Sequence, residues 1–555
     1  MTTPTDLTGG HVVVDSLARA GASAVFAVHG VQIDPIFLAC ADRGLPLIDV
    51  RHEATAGFAA EAQARITGTV GAAAVCPGPG FTNVLTSIAN ARTDRTPVIY
   101  IVGSTPAPTQ ETNGLQVGLD HVAMATPITK WACKVTTAGS LARIVAQAIR
   151  IASTAPKGPV LLDIPADVLA AAPVDGPTIE HLVSVTRASV APNDVDRCLQ
   201  MLGAAERPVL LVGHTPWATA RAALAAFADQ TGVPCFVDYR AIGALADDHA
   251  GYGGTLYQLG RLPEGARPDV ALAIGVQTGF DTPGLRDGGI GWGTRILHVD
   301  ADPAEVGRFA PAALALLGDP DTMLADIATR CRTHTWNVAA PWRDAVADAR
   351  RTTRDHLDAI EPSEGTRLHP YAAARAVSDA AAASNAVLIG DGAVCKHWLH
   401  DALRLPAGAT YLTHGRFGCM GSGPGLAIGA SIAAPGRPVI CVVGDGAAGF
   451  AIGEFEAIVR HRLPVTVVVM NNARWGASQG FQLRPGGPGR IVGTSLSDAD
   501  YHAVMAAFGG RGVRVATVDA LRSALTDSVG GDVPTCINVS TNNVGVAPEI
   551  PLLNN

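Results

Sequence analysis

Aromatic residues are scarce in this chain: Phe, Trp and Tyr make up 5% of its 555 residues, although 48% are hydrophobic. The apolar content therefore sits in small and aliphatic side chains. It is ample for large cores, which excludes a disordered chain. The ten cysteines, at 40, 76, 133, 198, 235, 331, 395, 419, 441 and 536, are scattered and form no C-x-x-C. That argues against a disulfide framework or a zinc site and for a reduced compartment. No long basic run occurs, and 41 Lys+Arg against 49 Asp+Glu gives a net charge of −8. Nucleic acid and anionic membranes are thus poor partners. Apolar runs such as Pro438–Val443 are strand-sized, far short of the roughly 20 residues of a membrane helix. The opening MTTPTDLTGG has no basic stretch followed by an apolar core, so no secretory signal is expected. These absences leave a soluble, cytoplasmic protein, and an enzyme is the expectation.

What is present is glycine, 61 residues of it, and proline, 37, spread over a length of several domains. Short β-branched runs alternate with helical segments throughout, which predicts α/β domains built on doubly wound parallel sheets. The first block has strands at Ala24–Val28, Leu45–Val50, Gly71–Cys76, Val98–Val102 and Val160–Ile164, with helices such as Ala54–Ile66 and Leu141–Ser153. A loosened stretch, Ala170–Asp194, reads as a linker. The second block has strands at Pro208–Val212, Cys235–Tyr239, Val270–Gly275 and Ile296–Asp300, followed by a charged helical connector, Trp342–Ile360. The third has strands at Ala386–Ile389, Pro438–Val443, Pro464–Met470 and Cys536–Val539. Three similar domains are expected, over 1–180, 190–345 and 365–555.

One constellation carries chemistry. The strand Pro438–Val443 runs into Gly444-Asp445-Gly446. A helix expected at Phe450–Arg460 and the strand Pro464–Met470 then lead to Asn471-Asn472, with 24 residues between Gly446 and Asn471. In a βαβ unit both strand ends reach the carboxyl edge of the sheet, where ligands bind. Asp445 and Asn472 would offer hard oxygen ligands on one side of a crevice, the donor set that suits Mg²⁺ beside a phosphate. The glycines let backbone approach a diphosphate. Taken singly, G-D-G and N-N are ordinary turn signals; at this spacing and in this setting they resemble the diphosphate–Mg²⁺ motif of the thiamine diphosphate-dependent enzymes.

The resemblance has further parts. In RHEATAGFAAEAQARITG, Glu53 stands at the start of a helix after a strand. The resemblance implies that it hydrogen-bonds the aminopyrimidine ring and promotes loss of the C2 proton. CPGPGFTNV resembles the loop beside that ring, with Asn83 as a polar contact. In HGRFGCMGSGPG, Gly418 and Cys419 precede Met420, which falls where the family places the apolar wedge that bends the cofactor. Gly392, Ala393, Asp445, Gly446, Ala447, Asn472, Trp475 and Gly476 complete the implied cofactor contacts, and the Arg474 backbone carbonyl completes the metal ligands. Long stretches, VFAVHGVQIDPIFLACADRGLPLIDVRHEATAGFAAE and IGEFEAIVRHRLPVTVVVMNNARWGAS among them, resemble benzaldehyde lyases most within the family. That implies a carboligase/lyase forming or cleaving 2-hydroxy ketones, with Gln116, His29 and His414 in the active site and Ala477 and Ser478 in the pocket. It also implies no need for FAD, although the middle block holds FAD or ADP in some relatives. The first and third blocks would serve one site from different subunits, in at least a homodimer and by resemblance a homotetramer.

The departures bear on substrate. Gly30-Val31-Gln32 stands where benzaldehyde lyases have Gly-Ala-His, and glutamine cannot exchange a proton at neutral pH. Val31 takes up space near the reacting carbon. Ala166 replaces a tryptophan, Lys396 a tyrosine, and Ala447 a hydroxyl residue. Lys396 would meet a substrate anion or simply lie on the surface. Two other readings stay open: an acetolactate synthase-like enzyme or 2-oxo acid decarboxylase on the same cofactor, and a nicotinamide dehydrogenase or nucleotide scaffold. Gly418-x-x-Gly421-x-Gly423 and Gly78-x-Gly80 signal the last only weakly. A 2-hydroxyacyl-CoA lyase ranks lower, because the C-terminal VGVAPEIPLLNN shows no basic lid.

Overall fold

The structure, a computed structural model, describes residues 7–109, 112, 115–116, 118–172, 185–213, 218–277, 290, 293–308, 310–364, 366–484 and 487–544. Three six-stranded parallel sheets carry the chain. The first holds β1 (Val25–Ala27), β2 (Leu47–Asp49), β3 (Gly71–Val75), β4 (Val98–Ser104), β5 (Trp131–Lys134) and β6 (Val160–Pro165), in the order β2-β1-β3-β4-β6-β5. The middle sheet holds β7 (Pro208–Val212), β8 (Cys235–Val237), β9 (Tyr252–Thr255), β10 (Val270–Ile274), β11 (Arg295–Asp300) and β12 (Ala312–Leu317). Its order is β12-β11-β10-β7-β8-β9, the dinucleotide-fold arrangement read from the far edge. A small antiparallel pair, β13 (Ser363–Glu364) and β14 (Arg367–Leu368), introduces the third domain. The third sheet holds β15 (Val387–Asp391), β16 (Thr410–Thr413), β17 (Val439–Gly444), β18 (Val465–Asn471), β19 (Arg511–Val515) and β20 (Thr535–Ser540). Its order, β16-β15-β17-β18-β20-β19, repeats that of the first sheet strand for strand.

Within the three large sheets the strands absent from the sequence reading are β5, β9, β12, β16 and β19, and all five lie at sheet edges. An edge strand is covered on fewer sides, so it need not be a continuous apolar run. Exposure along β12 alternates, and β19 is buried only at its last residue. A second difference follows the Asp445 motif. The expected single helix over 450–460 is two, Asp445–Phe450 and Glu454–Arg460. Helical backbone thus begins at Asp445 itself. The charged connector is the helix Ala340–Asp358. Of the expected linker, residues 173–184 lie outside the described residues.

First and third domains share one apolar core that joins Phe26, Val75 and Tyr100 to Val387, Val439 and Val467. Its axis is the helix Glu53–Thr67, buried along almost its whole length, laid against the helix Gly423–Ala433. Small residues make this approach possible. A Cβ on Gly429 would stand 2.0 Å from the Ala59 carbonyl oxygen, and one on Gly425 2.9 Å from the Phe58 Cβ. The scarcity of aromatics has its structural use here, because ring-sized side chains would force these helices apart. Among the described residues no helix is long and apolar enough to cross a membrane.

Candidate active site

In the third sheet the chain leaves β15 toward β16 on one side, then crosses back to β17 on the other. The loops after β15 and β17 therefore diverge and leave a crevice at the carboxyl edge. A cavity of about 160 Å³ lies there. Gly392, Ala393 and Val394 line it after β15, Gly444, Asp445, Gly446 and Ala447 after β17, and Met470, Asn472, Arg474, Trp475, Gly476, Ala477 and Ser478 around the end of β18, with Met420 opposite.

Both strands flanking the crevice end in Gly-Asp-Gly, and the two aspartates do different work. Asp391 is fully buried and its carboxylate accepts backbone N–H bonds from Gly392 at 2.6 Å, Gly423 at 2.7 Å and Gly421 at 3.3 Å. It ties the Met420 turn to the end of β15. The sequence reading missed Asp391, and the repeated Gly-Asp-Gly was the available signal. Asp445 faces the cavity, and its carboxylate accepts the Arg474 N–H at 3.1 Å. Burial pushes its carboxyl up to about 6 against the backbone N–H bonds it receives. No cationic side chain pairs with it among the described residues. The Arg474 guanidinium turns away, to the Asn472 carbonyl at 3.0 Å and Gln479 at 2.8 Å.

The Asn471-Asn472 pair divides in the same way. Asn471 is buried and structural: its amide donates to Asp498 and Ala499, and its oxygen accepts the Ala473 N–H at 3.1 Å. That bond helps hold Ala473 at φ 57°, left-handed for a residue with a Cβ. The resulting turn leaves Asn472 lining the cavity. Gly446 is obligatory, since a Cβ there would lie 2.4 Å from the Trp475 ring.

The first sheet has the same switch point, between β1 and β3, and the predicted residues of the first domain gather there. Glu53 is the first residue of its helix, with His52 as N-cap through a 3.1 Å bond from the Ala54 N–H to its ring. The Asn83 amide donates to Glu53 Oε2 at 2.9 Å. A Cβ on Gly80 would stand 3.4 Å from the other carboxylate oxygen, so this glycine keeps that side of Glu53 open. Gln32 donates to Gln116 Oε1 at 2.8 Å. Gly30 backs onto Cys76, whose sulfur a Cβ would overlap at 1.8 Å. His29 pairs with Asp34 at 2.8 Å and is exposed, as is Val31, at 71%. Ala166 opens the short helix after β6.

Family models for thiamine pyrophosphate enzymes match all three domains: the N-terminal binding domain at 7–124, the central domain at 195–327 and the C-terminal binding domain at 373–539. The chain is 30% identical over 551 residues to an acetolactate synthase large subunit of Mycobacterium tuberculosis, covering 96% of this chain and 95% of that one. It belongs to the thiamine pyrophosphate enzyme family. It is also 30% identical over 544 residues to oxalyl-CoA decarboxylase of Escherichia coli, covering 96% of this chain and 94% of that protein. To human 2-hydroxyacyl-CoA lyase 2 it is 27% identical over 546 residues, covering 91% and 84%.

Thiamine pyrophosphate enzymes carry thiamine diphosphate, and the cavity suits the diphosphate end. A buried carboxylate without a cationic partner, an amide and a glycine-walled cleft are the donor chemistry of a Mg²⁺–diphosphate site. The first-domain cluster is separate from it, because no described first-domain residue lines this cavity in its own chain. Four third-domain expectations fall elsewhere. Cys419 points its sulfur 3.1 Å from Asn90 Oδ1, in the interface with the first domain, and neither it nor Gly418 lines the cavity. His414 is buried below Gly392, with ring nitrogens 3.3 Å from the Gly392 and Gly415 carbonyl oxygens. Burial, then the nearby Lys396 charge, pushes it down to about 3, so it is neutral at physiological pH, and in this chain it does not meet Gln116. Lys396 lies neither on the surface nor in the cavity. It is buried with His397, His400 and His414, because the helix Val394–Ala402 turns Val394 and Cys395 to the cavity instead.

In the middle domain the loops after β7 and β10 close on each other, a Cβ on Gly213 lying 2.4 Å from Val276 Cα. Asp300, at the end of β11, is engaged by Arg95 of the first domain at 2.8 and 2.9 Å. A wider cleft of about 570 Å³, with Arg19, Arg150, Lys157 and Arg187 in its wall, holds no member of the predicted site.

Proposed function

We propose that this chain is a thiamine diphosphate- and Mg²⁺-dependent carboligase/lyase that forms or cleaves 2-hydroxy ketones from aldehydes, in the manner of benzaldehyde lyases. The observation that supports this best is the pair of clusters at equivalent switch points, Glu53 with Asn83 in the first sheet and Asp445 with Asn472 in the third. Bound thiamine diphosphate supplies the carbon nucleophile and the electron sink for making or breaking a bond beside a carbonyl. Asp445, Asn472 and the Arg474 carbonyl hold Mg²⁺. Gly392, Ala393, Gly446, Ala447, Trp475 and Gly476 accommodate the diphosphate, and Met420 supports the bend. Glu53 keeps one carboxylate oxygen on Asn83 and offers the other to the aminopyrimidine ring. With Gln32 donating to Gln116 Oε1, the Gln116 amide N–H groups are left to donate to a substrate oxygen. His29 stands at the mouth as proton carrier, paired with Asp34. Val31 narrows the approach, while Ala166 stands where benzaldehyde lyases have a tryptophan and Ala477 and Ser478 add small side chains to the pocket, which argues against benzaldehyde as the substrate.

The working unit is at least a homodimer, by resemblance a homotetramer, in which Glu53 of one copy meets Asp445 of another. That the described walls of the cavity of about 160 Å³ come from one domain supports this. The test is product analysis with thiamine diphosphate, Mg²⁺ and aldehydes or 2-oxo acids, singly and in pairs. Acyloin formation from aldehydes supports the reading, and no product from any aldehyde overturns it. The second reading, an acetolactate synthase-like enzyme or 2-oxo acid decarboxylase, is favoured by Gln32, which cannot relay a proton, and by similarity to an acetolactate synthase and to an oxalyl-CoA decarboxylase. CO₂ release from 2-oxo acids without aldehyde ligation would establish it.

A further inference from the structure

We propose that Glu454 is a positioning residue for Glu53, acting across the domain interface on the segment from which the Glu53 helix starts. The inference rests on the assignment of Glu53 as the group that works on the cofactor.

Glu454 opens the second helix after the Asp445 motif and is buried, at 1% exposure. Its Oε2 accepts the Arg51 backbone N–H at 3.1 Å, across 403 positions of sequence. The Thr55 hydroxyl and the His52 N–H lie near enough to favour its charged form. These donors surround Glu53 in sequence: Arg51 and His52 precede it, and Thr55 belongs to its first helical turn. Those N–H groups belong to a helix start and its approach, which lack intrahelical partners. At that end the first domain supplies the His52 ring to the Ala54 N–H and the His52 carbonyl to the Thr55 and Ala56 N–H groups, and the third domain supplies the Glu454 carboxyl to the Arg51 N–H.

The same third-domain helix grips the strand end just upstream. Arg460 donates to Asp49 Oδ1 at 2.6 Å and to the Asp49 carbonyl at 3.1 Å, His461 lies 3.0 Å from that carbonyl, and Arg51 lies 3.9 Å from Glu456. The stretch from Asp49 to Thr55 is therefore held by Glu454, Glu456, Arg460 and His461 together. Among the described residues the Glu53 side chain bonds only Asn83. Its direction is set by its backbone, and that backbone is set by the clamp. Losing a carboxyl oxygen that accepts a backbone N–H leaves a buried donor unsatisfied.

The experiment uses the full-length chain in two states. Without cofactor, amide hydrogen exchange is followed by mass spectrometry in wild type, Glu454→Gln, Glu454→Ala and Arg460→Ala. Expected is exchange faster by about tenfold over 50–55 in Glu454→Ala, with a smaller change in Glu454→Gln, whose amide oxygen still accepts from Arg51, and no change over the neighbouring helix 79–93. With thiamine diphosphate and Mg²⁺, Glu454→Ala should bind cofactor within about threefold of wild type yet exchange the C2 proton for deuterium about tenfold more slowly. Unchanged amide exchange over 50–55 in both Glu454→Ala and Arg460→Ala overturns the clamp. Faster exchange there with wild-type C2 exchange overturns the positioning role. Failure of the wild type to exchange C2 overturns the functional reading instead, and the cofactor-free measurement still decides the clamp.

Discussion

Glu53 and Asp445 are both carboxylates at the carboxyl edge of a parallel sheet, and their surroundings separate their chemistry. Glu53 is half-buried, steadied on one oxygen by Asn83. Asp445 is buried, raised to about 6, and not met by any cation among the described residues. Glu53→Gln keeps the shape and removes the ionisable group. Product formation should fall by about a hundredfold or more, with thiamine diphosphate affinity little changed in calorimetry. Asp445→Ala should instead remove the Mg²⁺ dependence of cofactor binding, because it deletes the charged donor of the set. Gly446→Ala tests the cradle. Its Cβ would meet the Trp475 ring at 2.4 Å, so tryptophan fluorescence should shift and cofactor affinity fall even if the protein stays folded.

Among the elements, the Glu53 helix explains most of the fold's economy of large side chains. It is covered by helices on two sides, one through Gly425 and Gly429, the other where a Cβ on Gly57 would come within 1.9 Å of the Ser87 hydroxyl oxygen. Gly429→Ala should lower the melting temperature by several degrees, since backbone rather than a flexible side chain opposes the new methyl. The same helix buries Glu61, which accepts from Asn90 at 2.7 Å and sits 3.5 Å from Arg65. Burial, then the neighbouring Asp94, raises its carboxyl from 4.5 to about 8. Between those values the folded chain keeps a proton that the unfolded chain releases, so the stability this group contributes is lost as pH rises through that window. Glu61→Gln should flatten the decline in melting temperature from about pH 5 to pH 8, because the amide carries no proton to lose. An unchanged slope would count against this assignment.

At the scale of the whole molecule, the first and third domains are the same topology used twice. Each brings one half of a constellation to its own switch point. If the halves meet between copies, Glu53→Gln and Asp445→Ala proteins, each inactive alone, should regain activity when mixed under conditions that allow subunit exchange. Random pairing leaves about a quarter of the sites intact. No recovery from a mixture shown by capture of a tag on one variant to have exchanged subunits would place both halves in one chain. The three-domain α/β plan was legible from the alternation of runs, and central strands such as β7 and β17 fell within a residue of their expected ends. Edge strands were not legible, because partial exposure dilutes the apolar run that marks a strand.

The Asp445–Asn472 spacing and the Glu53 helix start could be read from the chain alone, since each is a local pattern whose chemistry follows from residue type and from the strand it ends. Which aspartate of two Gly-Asp-Gly turns faces a cavity, that Lys396 and His414 point away from it, and that Glu454 reaches the Glu53 segment could not. Those outcomes depend on the direction a helix turns its faces and on contacts between residues hundreds of positions apart, which only packing of the first domain against the third decides.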